Sequence, residues 1–201
     1  MPYSSFTLKR AKSELNIHIV ETQGFFEKIA AVEISEILTI LLKEQVSLAV
    51  SMNTEKARSE LIISNIMVEI RRRFNSQVSI FSGIEFNVDK DRDLNGFCDF
   101  MISKSSEQLI LNAPVVALVE AKNENIIGGL GQCIAEMVAA NLFNIQEKNP
   151  LEKIYGVVTS GTAWQFLRLA GNTVEIDLKE YFIDQPGKIV GILSAMVEQS
   201  A

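Results

Sequence analysis

Histidine and cysteine are almost absent from this chain: its 201 residues include one His, His18, and two Cys, Cys98 and Cys133. That scarcity removes whole classes of chemistry. Zinc sites draw their ligands from clustered Cys and His, and His18 lies far in sequence from either cysteine. Cys/His and Ser/His/Asp catalysis lose their general base for the same reason. Both cysteines sit among apolar residues, which predicts buried free thiols, and His18 reads as structural or exposed.

Positive charge is short as well. Lys and Arg number 19 against 25 Asp and Glu, a net −6 with a pI near 5.0. Strong autonomous nucleic-acid binding normally relies on many Lys and Arg to neutralise phosphates. The basic residues that exist are grouped: Lys9, Arg10 and Lys12 near the start, and Arg71-Arg72-Arg73 at a predicted helix end. A helix C-terminus favours cations for its dipole, and the same triplet can also meet phosphate. No apolar run approaches the roughly eighteen residues of a membrane span. Residues 1–5 lack a basic-then-apolar leader, so a cytoplasmic location is expected.

At 47% hydrophobic, the chain has material for one ordinary core and is expected to form a single domain. Alternation at Leu15, Ile17 and Ile19 suggests an early strand within 8–20. Phe25, Ile29, Val32, Ile37, Ile40 and Leu41 recur near helical spacing and predict a helix over 25–43, followed by a short strand over 46–50. Asn53 or Thr54 can cap the next helix, which runs to about residue 74 with Ile62, Ile63, Ile66, Met67 and Ile70 on its apolar face. The period then changes to two. A strand over 78–88, interrupted near Gly83, a polar turn over 89–96, and strands over 97–103 and 115–120 read as an antiparallel meander. Gly128-Gly129-Leu130-Gly131 is expected to open a helix over 132–146. Strands at 154–159, 164–169 and 173–176 and a last helix over 189–197 complete the reading, with Trp164 packed in the 154–169 hairpin. The expected class is α/β (α+β) with a mixed sheet. An N-terminal part, 1–50, packs on a core over 53–170, and 171–201 adds a strand and helix.

The most informative residues end two of the apolar strands: Asp99 in Gly96-Phe97-Cys98-Asp99-Phe100, and Glu120-Ala121-Lys122 after Val115-Val116-Ala117-Leu118-Val119. Charge is scarce inside buried strands because burying it is costly. Glu120 and Lys122, two apart on a strand, point to one face. Two readings follow. In one, Lys122 neutralises a carboxylate in a salt bridge between strand ends. In the other, Asp99, Glu120 and the Ala121 backbone carbonyl hold Mg²⁺, which needs only one or two protein carboxylates. Lys122 then stabilises charge on a phosphate.

In this second reading the pattern resembles the PD-(D/E)xK nuclease superfamily. Asp99 matches the lone aspartate, with Cys98 in place of the proline, and Glu120-Ala121-Lys122 matches the (D/E)xK element. Gln132 matches a glutamine on the following helix, and Glu136 stands where a tyrosine usually follows it. Glu55-x-x-Arg58-x-x-x-Ile62 is similar to the first-helix motif of the nuclease domain of type I restriction subunits and their stand-alone relatives. Gly156–Gly161 and Trp164–Leu169 look like their closing strand pair. The resemblance, over about 53–170, implies a restriction-endonuclease-like αβββαβ core with a mixed central sheet flanked by helices. It also implies Mg²⁺ (or Mn²⁺) as cofactor and DNA as substrate, with RNA as an alternative, within a defence or restriction system. Asp99, Glu120, Lys122 and Gln132 would be the catalytic residues, with Glu55 or Glu60 completing the metal site and Arg71, Arg72 and Arg73 contacting nucleic acid. A homodimer or protein partner would supply target recognition. An inactive or partner-dependent scaffolding subunit is the competing expectation.

Overall fold

The computed structural model describes residues 3–199. A 3₁₀ turn at Tyr3–Ser5 leads into α1, Leu8–Glu14, and then β1, His18–Thr22. The predicted strand over 8–20 is thus helix first and strand second. Thr7 caps α1 through its side chain, which accepts from the Arg10 amide at 3.2 Å, and this local bond favours the helix.

The predicted helix over 25–43 starts later, at α2, Glu36–Met52, and the predicted strand over 46–50 is the second half of that same helix. The cause is tertiary. Lys188 donates to the carbonyls of Phe26, Glu27 and Ile29, and the Val32 amide donates to the Gly187 carbonyl at 3.0 Å, so residues 26–32 satisfy their backbone against another segment. Ser35 then restarts the chain as the N-cap of α2. Asn53 closes α2 in a left-handed conformation, φ 50°, and Thr54 opens the next helix. That rod comprises α3, Glu55–Arg58, a π-helical stretch, Ser59–Ile63, and α4, Ser64–Arg73.

The meander follows as β2, Ser79–Glu85, β3, Phe97–Ser103, and β4, Val115–Ala121, with both pairings antiparallel. The long helix α5, Ile126–Gln146, crosses over to β5, Lys153–Thr159, which lies parallel to β4. After it come β6, Ala163–Ala170, β7, Thr173–Asp177, the short β8, Tyr181–Phe182, and α6, Pro186–Glu198. The eight strands form one mixed sheet in the order β1-β7-β6-β5-β4-β3-β2, with β8 on β6. β1 and β7 are parallel.

Helices cover both faces. One core joins α5 and the N-terminal segment (Tyr3, Phe6, Ala11) to the sheet through Cys98, Met101, Leu118 and Val158. The other joins α2, the α3–α4 rod and α6 to the opposite face through Phe100, Val119, Tyr155 and Trp164. Trp164 is fully buried and its indole N–H donates to the Gly161 carbonyl at 2.9 Å. Both cysteines are free and buried, and His18 is exposed. The helix α5 is long and apolar enough to cross a membrane by length and composition, which the sequence reading did not anticipate. Two thirds (67%) of that apolar window is buried inside the molecule, as in a core helix.

Candidate functional site

The glycines 128–131 were expected to precede α5, and they lie inside it. Asn125 is the N-cap, its side chain accepting from the Gly128 amide at 2.9 Å. Glycine weakens a helix, so close packing must favour it here. A Cβ on Gly129 would stand 2.7 Å from a Val158 methyl and 3.1 Å from the Lys122 methylenes. Gly129 therefore makes room for the Lys122 side chain between α5 and the sheet.

Lys122 lies just past the end of β4, where its amide donates to the Thr159 carbonyl at 2.8 Å. Its ammonium contacts a Glu120 carboxylate oxygen directly and donates to Gln132 Oε1 at 3.4 Å. The Gln132 amide nitrogen donates to Glu120 Oε2 at 2.8 Å and to Glu136 Oε1 at 3.0 Å. Glu120 is 1% exposed, and Glu136 is fully buried with its second oxygen lacking a hydrogen-bond partner among the described residues. On the neighbouring strand Asp99, half-buried, accepts the Ala121 amide at 2.8 Å. The fold brings Asp99, Glu120, Lys122 and Gln132 together in one cluster across β3, β4 and α5. Glu136 and Gly129 were missed as members of it; the signals were an acidic residue in an apolar helix and glycines within one.

Burial and neighbouring charge shift the ionisable groups of this cluster. Burial first, and the charge of Asp99 second, push the Glu120 carboxyl up to about 8, against the pull of Lys122. Burial, followed by the charge of Glu120, pushes Glu136 well up. Burial alone would lower the Lys122 ammonium, but Glu120 overrides it and raises the group. Lys122 thus stays protonated, a fixed charge and donor. Carboxylate oxygens on adjacent strands are the donor type a hard divalent ion takes. Among the described residues no group of three or more His, Cys, Asp or Glu is placed to hold a metal, so such an ion would draw its other ligands from backbone carbonyl and water.

Asp99 and Ala121 open onto a cleft of about 310 Å³ whose opposite wall is the α3–α4 rod, with Glu55, Ser59 and Glu60. Both helix candidates, Glu55 and Glu60, therefore line it, and Glu60 pairs with Lys56 at 3.1 Å on the exposed rim. Arg58, buried, pins the rod to the strand ends: it donates to Asn123 Oδ1 at 3.0 Å and to the Ser160 carbonyl at 3.1 Å. The arginine triplet does not act as one patch. Arg72 pairs with Glu69 and Ser35, and Arg73 donates to the Glu33 carbonyl at 2.9 Å. Arg71 lines a separate opening beside β2. Compared with known proteins, the chain matches no family model and no curated protein.

Proposed function

We propose that the chain is a metal-dependent phosphodiester hydrolase acting on DNA, built on a restriction-endonuclease-like core. The observation that carries the reading is the buried Glu120, held by Lys122 and Gln132 on the strand next to Asp99, which together with Ala121 lines a cleft. Asp99, Glu120 and the Ala121 carbonyl would hold Mg²⁺ or Mn²⁺. The ion would polarise a phosphoryl oxygen and acidify a water. Lys122, kept protonated, supports the negative charge that grows on phosphate as the water oxygen–phosphorus bond forms and the phosphorus–oxygen bond to the leaving nucleotide breaks. Gln132 fixes the Glu120 carboxyl and the Lys122 ammonium relative to each other, and Glu55 or Glu60 on the cleft wall would add a helix carboxylate.

A second reading, a binding or scaffolding subunit active only with a partner, is favoured by one feature: Lys122 and Gln132 already satisfy Glu120. The two separate in a cleavage assay with Mg²⁺ or Mn²⁺ on single-stranded, duplex and branched DNA and on RNA. Wild type is expected to cleave DNA, and Lys122→Ala and Glu120→Gln to lose about 10²–10³-fold or more in rate with an unchanged circular dichroism spectrum. Uncut substrate across the whole panel would leave only the scaffolding reading.

A further inference from the structure

Two openings meet at Ser82. One is the cleft beside Asp99 and Ala121; the other, about 330 Å³, lies between α4 and β2 and is bounded by Met67, Val68, Arg71, Ile80, Phe100 and Gln108. Ser82 lines both, so the two openings adjoin along the α3–α4 rod, the first acidic with Glu55, Glu60 and Asp99 and the second largely apolar. From Lys56 to Arg71 that rod covers roughly 22 Å at the usual helical rise.

The outer wall of the groove is a sheet edge, since β2 ends the strand order. At Ile80 the edge is closed by a side chain: Gln108 accepts the Ile80 amide at 3.2 Å and donates to its carbonyl at 2.6 Å. Ser82, two residues on, turns the same backbone edge outward by the strand period. The residues after Gln108, Leu109 and Ile110, are exposed apolar side chains, as is Val68 on the helix wall. Arg71 stands at the far end. Its neighbours in the triplet are occupied by Glu69, Ser35 and the Glu33 carbonyl, while Arg71 Nε is buried with no hydrogen-bond partner among the described residues.

Apolar side chains at Val68 and Ile80, a backbone edge and an arginine whose Nε has no partner among the described residues can together take a single polynucleotide strand: base faces on apolar surface, phosphate on guanidinium. Each opening is at the small end of ligand pockets, of the order of 300 Å³, narrow for a base-paired helix. We infer that this groove is a binding track for one nucleic-acid strand, running from the cleft past Ser82 to a phosphate held by Arg71. The choice of polymer rests on the nuclease reading; the groove and its basic end do not.

The test uses the full chain, EDTA to block cleavage, and fluorescence anisotropy with a labelled single-stranded oligodeoxynucleotide and its duplex. Wild type is expected to bind the single strand more tightly than the duplex. Arg71→Ala should weaken single-strand binding about 5–10-fold and reduce the slope of log K against log salt by about 0.7, one phosphate contact. Lys90→Ala, an equal charge change on the exposed 89–96 turn, should do neither. Val68→Glu, which adds a negative charge at an exposed wall position, should also weaken binding and guards against a misfolded Arg71 variant. Equal behaviour of Arg71→Ala and Lys90→Ala, no effect of Val68→Glu, or tighter duplex binding overturns the track. The nuclease reading is judged separately, by whether wild type cleaves with Mg²⁺.

Discussion

Gln132 directs one amide hydrogen to each of two carboxyl groups, Glu120 and Glu136, and takes the Lys122 ammonium on its oxygen. This three-way bond makes the stability of the metal-free protein depend on pH in a definite sense. Burial raises Glu136, and burial with Asp99 brings Glu120 to about 8, both above an unfolded value near 4.5. In that interval the folded chain binds more protons than the unfolded one, so stability falls as pH rises from about 4.5 toward 8. Glu69 has the opposite sign: burial would raise it, but the Ser35 hydroxyl and amide, and Arg72, hold it below its usual value. Its contribution is present above the unfolded value and is lost as pH falls. The melting temperature in EDTA should therefore peak near pH 5. Glu136→Gln should flatten the decline toward pH 8, read by scanning calorimetry; a decline as steep as wild type would count against a neutral, buried Glu136. Asp99, Glu120 and Lys122 were legible because costly charges at the ends of apolar strands are visible in one dimension, whereas Gln132 was read from the family resemblance. Glu136 was read only as a departure from a motif, because nothing local marks an acidic helix residue as facing inward.

Within elements, the chain's short-range signals fared well where bonding is local and poorly where it is not. The strands at 97–103 and 154–159 were evident from period and residue type, as was a cap at Asn53 or Thr54, of which Thr54 takes the role. The turn-and-loop segment 26–32 was not, because it is tied down by Lys188 and Gly187, more than 150 residues later. Glycine inside α5 belongs to the same class of effect. A Cβ on Gly131 would fall inside contact distance of the Phe6 and Thr7 backbone, whereas on Gly128 it would meet only the Asn125 side chain. Gly131→Ala should cost about 1–3 kcal/mol and speed hydrogen exchange in α1, as measured by urea unfolding and exchange mass spectrometry. Glu69 supports α2 from another helix, its carboxylate accepting the Ser35 amide at 2.9 Å and hydroxyl at 2.7 Å. Glu69→Ala leaves those donors open and should cost about 1–3 kcal/mol, with exchange quickened at the start of α2.

Across the whole molecule, the N-terminal segment closes one core and one sheet edge together. Tyr3, Phe6, Leu15 and Ile17 are buried beside α5, and β1 pairs with β7 in parallel. Removing residues 1–22 would uncover the apolar side of α5 and the β7 edge, a template for intermolecular pairing. Size-exclusion chromatography should show that truncated chain as aggregates and the full chain as one discrete species.

By itself the sequence determined the types of the elements from Thr54 to Asp177 and the residues at two strand ends, since periodicity and the cost of buried charge act over a few neighbouring positions. Only the tertiary structure decided that Gln132 bridges two acids, that most of the apolar length of α5 is buried against the sheet, and that Arg71 is separated from Arg72 and Arg73. Those outcomes depend on which distant group satisfies each donor and each apolar face, and that choice is made when the layers pack.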